Sequence, residues 1–243
     1  MSRNSPKILT KKAPAKKPWK DVPSKPSATL ATKPKKAPVN PTLDLLKSHY
    51  PDAHCALDHE SPFQLLIATI LSAQCTDERV NIVTKGLFKA YPTPSAMAQA
   101  DQKHLEELIR SAGFYQNKAK NIKACAQALV ERHGGEVPRT LEELVELAGV
   151  GRKTANVVLG NAFGIASGVV VDTHVARLSF HFGWTKSDNA VIIERELSEM
   201  IDKRDWILLP HLLIYHGRQI CKARRPQCDA CFLFDLCPQR GVK

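Results

Sequence analysis

The apolar residues of this chain recur with a helical period from Thr42 almost to the C-terminus. Short breaks at proline or glycine separate the helical stretches. The period of two that indicates a strand is confined to the brief run 169–171. The pattern therefore predicts an all-α protein.

One stretch, residues 63–73, has apolar side chains on every face of the helix that it would form. A surface helix keeps a polar face, so this helix is expected at the centre of a domain, starting at Pro62. Further helices are predicted at residues 77–90, 102–111, 116–132, 140–147, 152–163, 173–182, 188–202 and 206–220, with turns at 91–94 and 134–135.

The positive charge of the chain is concentrated in its first 40 residues. The formal net charge is +11, but residues 1–40 contain eleven of the 35 Lys and Arg residues and a single acid, Asp21. This segment is rich in proline and poor in large apolar side chains, which predicts a disordered basic tail. Such a tail keeps a protein soluble or contacts phosphates. The rest of the chain is nearly neutral, so a polyanion must bind there through a local patch.

Length and cysteine pattern limit the class of protein. A chain of 243 residues allows one large domain or two modest ones. Its longest apolar run, 65–71, is far shorter than the ~20 residues that span a bilayer. The seven cysteines do not suggest a disulfide framework, and no secretory signal is recognisable. We therefore expect a reducing compartment, the cytoplasm if the protein is bacterial and the nucleus if it is eukaryotic.

The segment 147–155 reads LAGVGRKTA and contains the first candidate functional residues. Gly149 and Gly151 make a tight turn between two helices, and the first amides of the second helix point outward without partners. Such amides favour a phosphate, although an ordinary helical hairpin has the same pattern. Lys153 lies in the first turn of the second helix, where a cation opposes the helix dipole. This placement indicates either a function or a simply solvated lysine.

The apolar run 169–171 ends at Asp172, which is followed by Thr173 and His174 at the start of a helix. An aspartate at this position caps the helix. The capping hydrogen bonds also keep its carboxylate ionised, so it could equally serve as a fixed negative charge or a base. Spacing alone does not separate these roles.

Four cysteines fall within seventeen residues near the C-terminus: Cys221, Cys228, Cys231 and Cys237. A single Cys-x2-Cys pair with one cysteine on either side is closer to an iron–sulfur ligand set than to the two short pairs of most zinc sites. Zinc and unliganded thiols stay open on spacing alone. Lys222, Arg224 and Arg225, between the first two cysteines, form a small basic loop that would provide a local phosphate patch.

Together these three segments resemble the endonuclease III family of base-excision DNA glycosylases, in the helix-hairpin-helix superfamily. The resemblance covers about residues 42–240 and includes SPF at 61–63, LSAQCTD at 71–77 and GFYQNKA at 113–119. One departure is Ala148, where the family usually has proline before the first hairpin glycine.

The resemblance implies two helical lobes that flank a DNA-binding cleft. Residues 55–165 would form a six-helix barrel with the hairpin, and residues 41–54 with 166–243 a second lobe that holds a [4Fe–4S] cluster on the four cysteines. Lys153 would be the nucleophile, and Asp172 the acid that faces it. The amine would attack the sugar C1′, displace the base and form a Schiff base through which the 3′ phosphate is eliminated.

The substrate implied by the resemblance is duplex DNA with damaged bases, mainly oxidised pyrimidines, or with abasic sites, bound by a monomer. Gln74 and Phe114 fall where the family inserts residues into the gap left by a flipped base, although both could instead be packing residues. Contacts to the DNA are also expected from the hairpin and the basic loop, at Gly149, Gly151, Arg152, Lys222, Arg224 and Arg225.

Three other functions compete with a bifunctional glycosylase/AP lyase. An adenine-mismatch glycosylase has a similar cluster but typically lacks the hairpin lysine and has a further C-terminal domain. An 8-oxoguanine glycosylase shares the lysine but lacks the cysteine run. A non-catalytic helix-hairpin-helix module would need neither Lys153 nor Asp172. The joint presence of the lysine, the acid and the cysteines favours the bifunctional enzyme.

Overall fold

The computed structural model describes residues 33–242. Within this range the chain forms α-helices and short 3-10 turns and no strand, so the all-α prediction is confirmed. The run 169–171 is an irregular connection. The helices are α1 (Val39–His49), α2 (Pro62–Leu71), α3 (Asp77–Ala90), α4 (Pro94–Ala98), α5 (Gln102–Ile109), α6 (Tyr115–His133), α7 (Leu141–Val145), α8 (Arg152–Phe163), α9 (Thr173–His181), α10 (Ala190–Met200) and α11 (Leu208–Gln219).

The helix boundaries expected from the pattern agree with the structure to within about two residues, with two exceptions. α4 begins inside the stretch predicted as a turn, because Thr93 accepts the Ala96 N–H and Pro94 suits the first helical position. α1 begins inside the predicted tail. No helix among residues 33–242 is long and apolar enough to cross a membrane.

A first hydrophobic core extends from Leu57 to Leu159, among helices α2 to α8. α2 supplies its centre, with eight of its ten residues buried. Ser61 starts this helix by accepting the Gln64 N–H at 3.2 Å, and Pro62 occupies a position that needs no amide partner. The helix expected at the centre of a domain therefore lies there.

A second core joins α1 to α9, α10, α11 and the C-terminal cysteines. Ala37 belongs to it: its N–H donates to Phe182 O at 2.8 Å, and its carbonyl accepts from Trp184 Nε1 at 2.9 Å. The tail boundary predicted at residue 40 is therefore wrong, because apolar burial and two hydrogen bonds hold residues just before α1 on this lobe. The predicted disorder of residues 1–32 lies outside the described residues.

Candidate active site and cysteine pocket

The turn between α7 and α8 uses its two glycines in different ways. Gly149 adopts a φ of +78°, and a Cβ on it would lie 3.0 Å from Asn121 Cβ, so packing requires glycine there. Gly151 has a φ of −94°, and a Cβ on it would meet nothing within 4 Å. No side chain caps α8, so its first amides are open to a ligand on the side where Gly151 leaves space.

Lys153 and Asp172 come from different lobes and line the same cleft. Lys153 is exposed in the first turn of α8, whereas Asp172 is the N-cap of α9. Asp172 Oδ1 accepts the backbone N–H groups of His174 at 2.9 Å and Val175 at 2.8 Å, and Oδ2 lies 3.1 Å from His174 Nδ1. The expected cap is present, and the same carboxyl group also faces the cleft.

The surroundings of Asp172 favour its charged form. Burial opposes ionisation, but the hydrogen bonds from His174 and from the Val175 amide outweigh it, and the charges of His174 and Lys153 act in the same direction. The net effect holds the pKa of the carboxyl group below its usual value. An ionised carboxylate that faces a lysine can stabilise positive charge or accept a proton.

The cleft encloses about 900 Å³ of empty space, including its open mouth. Its lining includes polar residues that the sequence pattern does not single out, namely His54, Asn161, His211, Tyr215 and Arg218. Burial lowers the pKa of His211 to about 4, and its Nε2 lies 2.8 Å from Asn161 Oδ1, so a neutral ring donates to the amide oxygen. These residues belong to distant segments with no common spacing, so no motif could have indicated them.

Two ion pairs connect the lobes. Arg218 Nη2 lies 2.6 Å from Asp77 Oδ2. Arg152 binds Glu194 with Nε at 3.1 to 3.2 Å from the two carboxylate oxygens and Nη2 at 3.0 Å from one of them. The sequence analysis expects Arg152 to contact DNA. In the structure its guanidinium is instead paired with Glu194, and this ion pair connects α8 to α10.

Gln74 and Phe114 lie on two loops, one after α2 and one before α6. Both are non-glycine residues in the left-handed region, with φ values of +54° and +48°. Phe114 is 67% exposed, and Gln74 is exposed as well. Neither side chain is a packing residue, so that alternative is wrong for both. Strained backbone beneath an exposed side chain is typical of a contact site.

The four C-terminal cysteines line one pocket with about 330 Å³ of empty space. Burial raises the pKa of Cys221 to about 11 and that of Cys231 to about 12, so these thiols need a bound cation to ionise at neutral pH. Among residues 33–242, no three His, Cys, Asp or Glu side chains converge on a point that would hold a single metal ion. Four cysteine thiolates are the ligand set of a [4Fe–4S] cluster.

Polar groups surround this pocket. Arg177 Nη2 donates to Cys221 O at 2.9 Å, and His216 Nε2 lies 3.6 Å from Cys231 Sγ. Such neighbours suit thiolates that bind an iron–sulfur core. The remaining cysteines, Cys55, Cys75 and Cys125, do not line the pocket.

The basic loop follows Cys221 directly. Its ends are closed by a hydrogen bond from Gln227 N to Ile220 O at 3.0 Å. Lys222, Arg224 and Arg225 are all exposed, and no acidic side chain within residues 33–242 pairs with them. The structure therefore presents the local basic patch that a nearly neutral lobe needs in order to bind a polyanion.

Comparison with known families defines the class of this protein. The family model described as HhH-GPD superfamily base excision DNA repair protein matches residues 67–203. The model of the iron–sulfur binding domain of endonuclease III matches residues 221–237. The fold, the hairpin and the cysteine pocket thus define a base-excision repair glycosylase of the helix-hairpin-helix superfamily with a [4Fe–4S] cluster.

Individual relatives narrow this class. Endonuclease III of Synechocystis sp. is 54% identical over 204 residues, which cover 84% of this chain and 93% of the relative. A non-covalent endonuclease III–DNA complex is 46% identical with a TM-score of 0.79, covering 83% of this chain and 94% of that one. A trapped endonuclease III–DNA covalent intermediate is 48% identical with a TM-score of 0.77, covering 81% and 92%. The chain belongs to the endonuclease III family.

The protein is therefore a DNA glycosylase/AP lyase of base excision repair, with DNA as its partner. This confirms the enzyme class, the cofactor and the partner that the resemblance implied.

Proposed function

We propose that Lys153 and Asp172 carry out the glycosylase and lyase steps, and that the substrates are oxidised pyrimidines and abasic sites in duplex DNA. The observation that carries this proposal is their placement: an exposed amine and an ionised carboxylate, from the two lobes, line one cleft. The trapped covalent intermediate of a relative with DNA supports a covalent route.

The first step is extrusion of the damaged base, which lies in the duplex stack and is out of reach there. Extrusion leaves a gap. Gln74 and Phe114, exposed on neighbouring loops of the barrel lobe, fill this gap with their side chains and thereby stabilise the extruded state.

The second step is attack of the Lys153 amine on the sugar C1′. The bond from C1′ to the base breaks and the base leaves with the bonding electrons, while loss of a proton from nitrogen and opening of the sugar ring give the imine. Asp172 stabilises the positive charge that develops on the sugar and accepts a proton. Loss of a C2′ proton then expels the 3′ phosphate by breakage of the C3′–O bond.

The DNA backbone is held on both sides of the cleft. The open amides at the start of α8 bind a phosphate beside Gly151, and Lys222, Arg224 and Arg225 bind others. Cys221, Cys228, Cys231 and Cys237 would hold the [4Fe–4S] cluster, and because Cys221 and Cys228 flank the basic loop, binding it would fix the ends of that loop.

We place the enzyme at the nucleoid in the bacterial cytoplasm, acting as a monomer. The relatives are bacterial proteins, which supports this location.

The decisive experiment is borohydride trapping on a panel of duplexes. Each contains one thymine glycol, 5-hydroxycytosine, 8-oxoguanine, adenine opposite 8-oxoguanine or abasic site, and an undamaged duplex serves as the control. We expect covalent adducts with the two oxidised pyrimidines and the abasic site. Adducts with 8-oxoguanine alone, or none despite DNA binding, would contradict the proposal.

A further inference from the structure

One buried charge in the barrel lobe has no part in the reaction as described. Lys118 of α6 is only 5% exposed, and among residues 33–242 no other lysine or arginine is buried. Removing an ammonium group from water is unfavourable, so a buried lysine needs partners that compensate.

The Lys118 ammonium binds the base of the Phe114 loop. Its Nζ donates to Ala112 O at 2.8 Å. Ala112 is buried and ends the 3-10 turn Arg110–Ala112, directly before Gly113 with a φ of +70° and Phe114 with a φ of +48°. The lysine thus satisfies a carbonyl at the C-terminal end of a turn, where a cation is favourable.

Cys75, at the base of the other loop, packs against the core that contains Ala112 and Ala119. Burial lowers the pKa of Lys118, and Cys75 acts on it in the opposite direction. Cys75 follows Gln74, whose φ of +54° is also left-handed. Lys118 therefore hydrogen-bonds to the base of the Phe114 loop, and the base of the Gln74 loop packs against the core that contains its neighbour Ala119.

We propose that Lys118 is a positioning residue, which holds the Gln74 and Phe114 loops in the conformations that enter the DNA stack. This inference rests on the proposed wedge role of Gln74 and Phe114. Left-handed backbone at non-glycine residues persists only where the surroundings impose it. Without the ammonium, Ala112 O loses its partner and the two loops relax independently.

The test compares Lys118→Met with Lys120→Met. Both remove one positive charge from the same helix, but Lys120 is exposed. We expect Lys118→Met to slow single-turnover excision of thymine glycol paired with adenine roughly 10- to 100-fold. Trapping on a preformed abasic site is expected to stay within about twofold, because no base has to be extruded. Lys120→Met leaves both reactions near wild type.

A second measurement follows the wedge itself. With 2-aminopurine placed opposite the lesion, wild type and Lys120→Met should raise the fluorescence on binding, and Lys118→Met should not. Equal losses on both substrates, or none, would overturn the proposal, since a loss of folded protein affects both alike. If Lys118→Met does not fold, Lys118→Gln replaces it, and the same selective loss is expected because its shorter side chain cannot reach Ala112 O.

Two further measurements distinguish failure of this inference from failure of the proposed function. Phe114→Ala must show the same selective loss if the loops act as wedges, and without it the wedge role fails. Absence of trapping by the wild-type protein would refute the proposed chemistry, whatever Lys118 does.

Discussion

Lys153 is the residue whose removal should separate binding from chemistry. Lys153→Gln removes the amine that forms the imine, whereas the amides of α8 and the basic loop remain to hold the DNA. Borohydride trapping on an abasic duplex is expected to vanish, while a gel-shift assay still detects the complex. Lys120→Gln, an exposed lysine elsewhere on the barrel lobe, is the control and should trap normally. Trapping by Lys153→Gln would identify another amine as the nucleophile.

Asp172 combines a cap with a charge, and Asp172→Asn removes only the charge. The amide oxygen can still accept the N–H groups of His174 and Val175, so the variant should fold and lose near neutral pH only the small stability that the charge contributes. Excision of a damaged base should slow by about 10²–10⁴-fold, the range of a positioned acid or base. Trapping on an abasic site should survive in part. A large loss of stability with little loss of rate would mean that Asp172 is only a cap.

The lowered pKa of Asp172 also predicts a pH dependence of stability. A carboxyl group whose pKa is depressed on folding stabilises the protein above its unfolded value, near ~3.9, and loses this contribution as the pH falls through the folded value. The free-energy difference between wild type and Asp172→Asn should therefore shrink on acidification below about pH 4, as denaturant titrations at several pH values would measure. A difference that grows there would contradict the assigned direction.

At the scale of elements, the α7–α8 hairpin predicts opposite effects for its two glycines. Gly149→Ala meets a left-handed φ and a contact 3.0 Å from Asn121 Cβ, so it should destabilise the protein by about 1–3 kcal/mol in urea unfolding. Gly151→Ala fits the backbone and should lower stability by at most about 1 kcal/mol. Its methyl group stands where the phosphate would approach, so DNA affinity should fall. Equal stability losses would show that both glycines serve only the turn.

At the scale of the whole molecule, the position of Ala37 defines how the basic tail should be removed. Deleting residues 1–32 leaves the two hydrogen bonds of Ala37 in place. If the tail contacts phosphates, affinity and its salt dependence should both fall, by ~0.9 in the slope of log K against log salt per lost contact. Single-turnover cleavage should be nearly unchanged. An unchanged slope would assign the tail to solubility.

Local features of the sequence were sufficient for most elements and for selecting the candidate site residues. These features depend on residues within about one helical turn of each other, so they can be recognised in the sequence. They include the helical period, the helix start at Ser61-Pro62 and the Asp172 cap. The four-cysteine run and the glycine turn are likewise short patterns with a definite chemistry. The roles proposed for Lys153 and Asp172 came from the resemblance. An exposed lysine or an N-cap aspartate occurs in many proteins without any catalytic role, so neither indicates a function by itself.

Contacts between distant segments were decided by packing of the lobes. Three such contacts are the ion pair of Arg152 with Glu194, the hydrogen bond from Trp184 to Ala37 and the hydrogen bond from the buried Lys118 to Ala112. No local sequence pattern indicates these partners. The same holds for the cleft, which His54 and His211 line together with Lys153 and Asp172. A side chain's neighbours across a cleft follow from the angles at which helices pack, and a single chain read residue by residue contains no measure of those angles.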